Sequence, residues 1–184
     1  MAQPLSWQVS ATYLTSFVGA TRAMGHLDAV LPRLDEATRA MVPSPGAQAW
    51  WPGERLVDLL QGVEAVAGVE GVKAISIRGS RERMGPLVRP LAGVVLALSK
   101  APALAMASRL GTFVSAGIKG IDARFLPNET KTGGQAVFTF PEPVPAAMAA
   151  LWYGLFDVGL SLAGEGRVVS EQVEPTTHRF ELTW

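Results

Sequence analysis

Two histidines and no cysteine limit the chemistry that this chain of 184 residues can support. A neutral imidazole can act as a base, bind a metal ion or ligate heme iron, but each role needs partner groups around the ring. His26, in "GHLDAV", is typical of a helix start, whereas His178, in "THRFELTW", alternates with apolar residues on one face of a strand. We interpret both as structural, so no metal site is predicted. An enzyme would need His26 beside Asp28, or His178 beside a carboxylate from another element.

The serine and glycine patterns do not favour catalysis either. The segments "GTFVSAG" and "RGSRERMG" place serines near glycines, but neither has the G-x-S-x-G pattern of a nucleophile elbow. No segment has the G-x-x-x-x-G-K pattern of a phosphate loop. The sequence therefore favours a non-enzymatic binding or regulatory module without a cofactor. The alternative is a protein–protein interaction module, for dimerisation or as a signalling adaptor, without a ligand, and the third reading is an enzyme with an unrecognised site.

The clearest charge cluster is "RGSRERMGPLVR", which contains Arg78, Arg81, Arg83 and Arg89. Four arginines are able to receive an anionic ligand, but Glu82 among them is more typical of a solvated helix face. Over the whole chain, 16 basic residues balance 16 acidic residues, which argues against nucleic acid as a partner. The first residues carry no secretory pattern and the chain has no cysteine, so a cytoplasmic location is expected.

Aromatic residues are the candidates for binding. In "AWWPGERL" two adjacent tryptophans follow a turn-rich segment, and we place them on different faces of a helix start. One would anchor the segment to the core, and the other would line a pocket or a contact surface. The candidate ligand-binding residues of the chain are Trp50, Trp51, Trp152, Tyr153, Phe156 and His178.

The elements that must position these residues change in type near Gly120. Helical spacing dominates before it, with Ser10 and Asp35 as N-caps, Gly68 as a helix end and Pro86, Pro90 and Pro102 in first turns. After it come the short segments "IDARFLPN", "QAVFTFP", "GRVVSEQVEP" and "THRFELTW", which are rich in β-branched and aromatic residues. The pattern predicts a single α+β domain over residues 1–184, with a helical N-terminal part and an antiparallel sheet of about four strands in ββαββ order.

The helix of that ββαββ unit is apolar all round. The segment "PVPAAMAALWYGLFDVGLSLAG" holds one carboxylate, Asp157, and the run between Glu142 and Asp157 is too short to span a membrane. We predict a central helix over residues 145–163, packed against the sheet on one side and the N-terminal helices on the other. The alternative is that one face is covered by a second copy in a homodimer or by another protein partner.

The layout resembles a paralogous family of short, uncharacterised proteins found in myxobacteria. The resemblance rests on the "WWPGERLVDLL" segment, the proline-led C-terminal helix and the final "RFELTW". More distantly, the strand pair, apolar helix and second strand pair are similar to the small-ligand-binding superfamily of vinyl-reductase-type domains, heme nitric-oxide sensors and vesicle-tethering subunits. That resemblance implies an apolar small-molecule pocket and a signalling role. The chain lacks the cysteine pair of the first group and the Tyr-x-Ser-x-Arg motif with proximal histidine of the second, so heme is not expected.

Overall fold

The computed structural model describes residues 6–98, 102–163 and 166–184, and for residues 83–98 and 162–163 it describes the backbone alone. Seven α-helices occur in the described part: α1 Ala11–Ala23, α2 Leu27–Val30, α3 Glu36–Met41, α4 Gly53–Leu98, α5 Pro102–Ala107, α6 Leu110–Ser115 and α7 Ala147–Ala163. The strands of this part are β1 Gln8–Ser10, β2 Trp50–Pro52, β3 Ile118–Lys119, β4 Asp122–Pro127, β5 Gly133–Thr139, β6 Arg167–Glu174 and β7 Thr177–Thr183. The predicted α+β class, with helices first and an antiparallel sheet after them, is confirmed.

The predicted caps hold two of the N-terminal helices in place. The Ser10 hydroxyl accepts the backbone N–H of Tyr13 at the start of α1, and the Asp35 carboxylate accepts that of Thr38 at the start of α3. Each cap satisfies a backbone donor that has no partner within its own helix. The pKa of Asp35 lies below its usual value because the Thr38 hydrogen bonds and the Arg55 guanidinium outweigh the opposing effect of burial.

The predicted helix end at Gly68 is confirmed, because α4 consists of two helical segments that meet at a kink at this residue. Gly68 has φ 69° and ψ −179°, a non-helical conformation that is open essentially to glycine alone, and the second segment continues to Leu98. Pro86 and Pro90 consequently lie inside α4 and not in the first turns of separate helices. Pro102 begins α5 as predicted.

The two adjacent tryptophans form a strand, which corrects their predicted position at a helix start. Trp50 and Trp51 belong to β2, which pairs antiparallel with β1, and β1 pairs on its other side with β3. The indole of Trp51 donates to the Pro45 carbonyl oxygen at 2.7 Å, and the Lys119 ammonium lies 3.8 Å from the Trp50 ring centre. This small sheet, which the sequence did not predict, joins the N-terminal segment to the start of the C-terminal half.

The four predicted strands form an antiparallel sheet in the order β4-β5-β7-β6. The strand register places Ala136 opposite Phe180 and Phe138 opposite His178, so one sheet face carries the apolar residues of both central strands. The helix α7 packs on this face, and α4 packs against α7, as predicted for a central helix. Among the helices of the described residues, none combines the length and the apolar character needed to cross a membrane.

Candidate ligand cavity

The side of α7 that faces α4 is packed through a glycine. A Cβ at Gly154 would lie 2.5 Å from the Ser76 hydroxyl oxygen and closer still to the Ser76 carbonyl oxygen. The Ser76 hydroxyl in turn donates to the Leu151 carbonyl oxygen of α7 at 2.5 Å, and both residues are buried. The glycine thus permits the backbones of the two helices to approach closely, and the hydrogen bond fixes their register.

The side of α7 that faces the sheet is filled by aromatic rings. The indole of Trp152 stacks on Phe138 with 3.9 Å between ring centres and 10° between planes. Phe180 meets Phe138 and Phe156 edge to face at 5.9 Å and 5.0 Å. Because these rings touch one another without a gap for a ligand, this part of the molecule is core.

A third side of α7 borders a cavity of about 560 Å³, a volume that includes its open mouth. We call it the α5–α7 cavity, since α5, α6, α7 and the strands β4 and β7 supply its walls. Every lining residue is apolar: Ala103, Met106, Ala107, Leu110, Phe113, Phe125, Leu155, Phe156, Val158, Gly159, Leu160 and Leu182. Because the volume includes open solvent, it does not measure the size of a ligand, but the wall favours a ligand that is apolar where it is buried.

Gly159 contributes bare backbone to the cavity wall. It lies inside α7, and a Cβ at this position would meet no atom within 4 Å. Glycine in a helix interior costs about 1 kcal/mol relative to alanine. Packing explains that cost at Gly154 but not at Gly159, where the missing side chain enlarges the cavity.

The charged and polar side chains near α7 form hydrogen bonds with one another. Arg81 of α4 donates to both carboxylate oxygens of Asp157 at 2.8 and 2.9 Å, which gives the one carboxylate of α7 a partner. The Tyr153 hydroxyl donates to the Glu171 carboxylate at 2.7 Å. Burial and then this hydrogen bond raise the pKa of Tyr153 far above its ordinary value, so the phenol stays protonated.

The predicted arginine cluster behaves as a solvated helix face where its side chains are described. Arg78 pairs with Glu82 at 2.9 Å, one helical turn away, and Arg81 pairs with Asp157. The side chains of Arg83 and Arg89 lie outside the described residues.

His178 is fully buried beneath α7, in the face predicted for it. Its Nδ1 accepts the Trp152 indole N–H at 3.4 Å, and the Phe140 ring centre lies 5.3 Å away. Its Nε2 has no hydrogen-bond partner among the described residues. Burial lowers the pKa of His178 to about 4, against a smaller opposite effect of Glu171, so the ring is neutral at neutral pH.

The predicted binding residues separate into three groups. Phe156 lines the α5–α7 cavity, while Trp152, Tyr153 and His178 lie in the adjoining core around α7. Trp50 and Trp51 belong to the small sheet and do not line this cavity. Of the candidate binding residues, the sequence placed only Phe156 on this wall, and it did not show that Gly159 and the residues of α5 and α6 line the same space.

The fold is similar to that of solved H-NOX domains. The Fe(II) unliganded H-NOX protein from K. algicida aligns with a TM-score of 0.63 at 13% identity, and a point mutant of it with 0.66 at 14%, each over 95% of both chains. An oxygen-binding H-NOX domain related to soluble guanylate cyclases, solved as its oxygen complex, gives 0.55 at 10% identity over 94% of this chain and 92% of the other. At identities this low, the structural alignments show a shared fold and nothing more. The shared fold agrees with the distant superfamily resemblance.

No protein-family model matches the sequence, and no curated protein matches it. The resemblance to the myxobacterial paralogous family therefore stays a prediction.

The residues of the α5–α7 cavity do not fit heme, the group that this fold family implies. Protein-bound heme iron takes His, Cys, Tyr or Met as axial ligands, and the chain has no cysteine. Its two histidines and two tyrosines, His26, His178, Tyr13 and Tyr153, lie outside the cavity wall, where Met106 offers a thioether. The wall also presents no polar side chain for the heme propionates. In the described part of the chain, no group of three or more His, Asp or Glu residues is arranged to hold a metal ion.

Proposed function

We propose that this protein is a non-enzymatic regulatory module that binds an apolar small molecule in the α5–α7 cavity. The observation that carries the proposal is the wall of twelve apolar residues that lines this cavity. Apolar surface in contact with water is unfavourable, and an apolar occupant removes that surface from water. The H-NOX fold supports the proposal, because a solved example is named for binding oxygen.

A regulatory role is favoured over catalysis by the positions of the titratable groups. Tyr153 and Asp157 of α7 have partners outside the cavity, and His178 lies in packed core. An enzyme gathers perturbed polar groups around the reacting atoms, whereas the wall here contains none. Since the chain has no cysteine, we propose a cytoplasmic location for the module.

Thermal unfolding in the presence of an apolar panel and of hemin tests this function. A ligand at one hundred times its Kd stabilises the folded state by about 2.7 kcal/mol, which raises Tm by roughly 5–10 °C for a chain of this size. We expect such a rise with at least one apolar compound and none with hemin. Absence of a rise across the apolar panel would overturn the proposal.

Two leucine variants of α7 show whether the ligand occupies the cavity. Gly159→Leu places a side chain in the open space and is expected to abolish the ligand-induced rise in Tm. Ser161→Leu adds a similar side chain at an exposed position of the same helix, outside the cavity wall, and is expected to retain the rise. Equal loss in both variants would contradict binding at Gly159.

Native mass spectrometry of protein purified from its own host reports whether a ligand is retained. The same measurement reports whether the chain forms a homodimer.

A further inference from the structure

Strand β6 is an open edge of the four-stranded sheet. It pairs with β7 on one side, and none of the described strands pairs with its other side. With eight residues it is longer than any other strand of the described part. Val169 and Val173, which are 60% and 38% exposed, are two of the four large apolar side chains exposed among the described residues. Such an edge presents free backbone N–H and C=O groups that can pair with a further strand.

A β-bulge near the start of β6 decides which of its side chains share a face. The register with β7 shifts between Val168 and Ser170, and Val169 is the extra residue. In a regular strand, residues that are an odd number of positions apart point to opposite faces. One extra residue reverses this rule across the bulge, so Arg167 and Glu174, the two ends of the strand, lie on the same face.

The pairing with β7 gives the same faces. Arg167 and Glu174 lie opposite threonines of β7, on the side of the sheet that points away from α7. Val168 and Val173 lie opposite buried residues of β7, on the side that packs against α7. One face of β6 thus has a cation at its beginning and a carboxylate at its end, and the other face has a valine beside each of them.

We propose that two copies of this chain associate through β6, with the two strands antiparallel about a two-fold axis at Glu171. In this register Arg167 of each copy lies opposite Glu174 of the other, and Val168 lies opposite Val173. The bulge gives both pairs matching faces, and the two sheets join into one continuous sheet. A strand that is complementary to itself favours a second copy as its partner. Since no residue of β6 lines the α5–α7 cavity, this inference is independent of the proposed function.

The charged ends of β6 are able to form these pairs. No described residue forms an ion pair with Arg167, whose side chain is exposed. The Glu174 carboxylate accepts hydrogen bonds from Arg179 at 3.0 Å and from Gln172 at 2.9 Å, both at Oε1. Because a carboxylate has two acceptor oxygens, it can bind a second guanidinium as well.

The centre of the proposed contact opposes association. Glu171 lies there opposite Glu171 of the second copy, and like charges that face each other across a strand pair are destabilising. Each carboxylate accepts the Tyr153 hydroxyl of its own chain at 2.7 Å, so it has a partner in the single copy as well. The contact is also small, and we expect a weak, reversible dimer.

Sedimentation velocity of the full chain over a series of concentrations tests the contact. We expect a monomer–dimer equilibrium, followed up to about 1 mM because the association is weak. Arg167→Glu replaces two symmetric opposite-charge pairs by like charges and should weaken dimerisation about tenfold or more. Arg124→Glu is the matched control, because Arg124 is an exposed arginine on β4 at the opposite edge of the sheet, and it should leave dimerisation unchanged.

Two further substitutions test the centre and the apolar pairs. Glu171→Gln removes the facing charges and keeps an oxygen that accepts the Tyr153 hydroxyl, so it should tighten dimerisation roughly two- to fivefold. Val173→Lys should weaken dimerisation, because it places an ammonium opposite Val168 of the second copy. Leu126→Lys makes the same change at an exposed position of β4 and should not weaken it.

The outcomes separate β6 from other surfaces. Circular dichroism should show the same fold for all five variants, because each substitution replaces an exposed side chain. A chain that stays monomeric over the whole concentration range would overturn the proposal. A dimer that neither Arg167→Glu nor Val173→Lys weakens would show that the copies associate through another surface, and would overturn the role of β6.

Discussion

Two glycines of α7 should respond to alanine with opposite signs. Gly154 faces the backbone of α4 at Ser76, whereas Gly159 faces the open space of the α5–α7 cavity. The two positions lie in one helix and undergo the same chemical change. Any difference in stability between the variants therefore reports what surrounds each position.

The magnitudes follow from the helix preference and the neighbours. Replacing glycine by alanine inside a helix contributes about 1 kcal/mol of stability, which is the whole expected effect at Gly159. At Gly154 the added methyl group meets Ser76, and such overpacking costs about 1–3 kcal/mol. Displacing Ser76 also weakens its hydrogen bond to Leu151, at a cost of about 1 kcal/mol. The net expectation is a loss of about 1–3 kcal/mol for Gly154→Ala.

Thermal and denaturant unfolding of both variants without ligand measures these changes. At about 2–4 °C per kcal/mol, Gly159→Ala should raise Tm by about 2–4 °C, and Gly154→Ala should lower it by about 2–12 °C. The Gly159 variant should at the same time bind its apolar ligand more weakly, because the methyl group takes up cavity volume. If Gly159→Ala destabilises the fold as much as Gly154→Ala does, Gly159 is packed and the cavity argument fails.

Two further predictions concern the backbone and the buried imidazole. Gly68→Ala should lower the free energy of unfolding by about 1–3 kcal/mol, because φ 69° strains any other residue. Gly19→Ala should raise it by up to about 1 kcal/mol, because a Cβ there, as at Gly68, meets no atom within 4 Å and alanine is the better helix former. The pKa of His178, lowered to about 4 in the folded state, lies below the 6.5 of the unfolded state, so its contribution to stability is complete above pH 6.5 and is lost as pH falls towards 4. Urea unfolding should show a loss of about 3 kcal/mol over this window, and His178→Phe should remove this pH dependence; an unchanged pH dependence in His178→Phe would refute the assignment.

The C-terminal half was predictable because its residue period changes visibly. In β7 every second side chain is buried, namely His178, Phe180 and Leu182. This period of two residues differs from the period of a helix. The apolar helix between the strand pairs then has to lie on their buried face. The break at Gly68 was predictable because glycine adopts the positive φ found there, but the prolines at 86 and 90 did not start new helices.

The candidate site was less predictable, because a sequence shows where side chains are and not where space is left. Trp152 and Tyr153 are the kind of residue that lines ligand sites, but they fill the core or bind Glu171 at its edge. The sequence signal for the cavity was weaker: Gly159 lies inside a helix, where no turn requires a glycine. Only the positions of α5 and α6 show that the space beside Gly159 is lined by further apolar residues.

The absence of a polar face on α7 is explained by three different neighbours. The sheet covers Trp152, and α4 covers Gly154 and pairs with Asp157 through Arg81. The remaining side of α7, around Gly159, faces the α5–α7 cavity, and among the described residues a Cβ placed at Gly159 meets no atom within 4 Å. Exposed apolar area costs about 25 cal/mol per Å² relative to burial, so an occupant that covers this wall lowers the free energy of the folded state. If a ligand occupies the α5–α7 cavity as proposed, it covers this part of α7, and occupancy of the cavity is then coupled to the stability of the central helix.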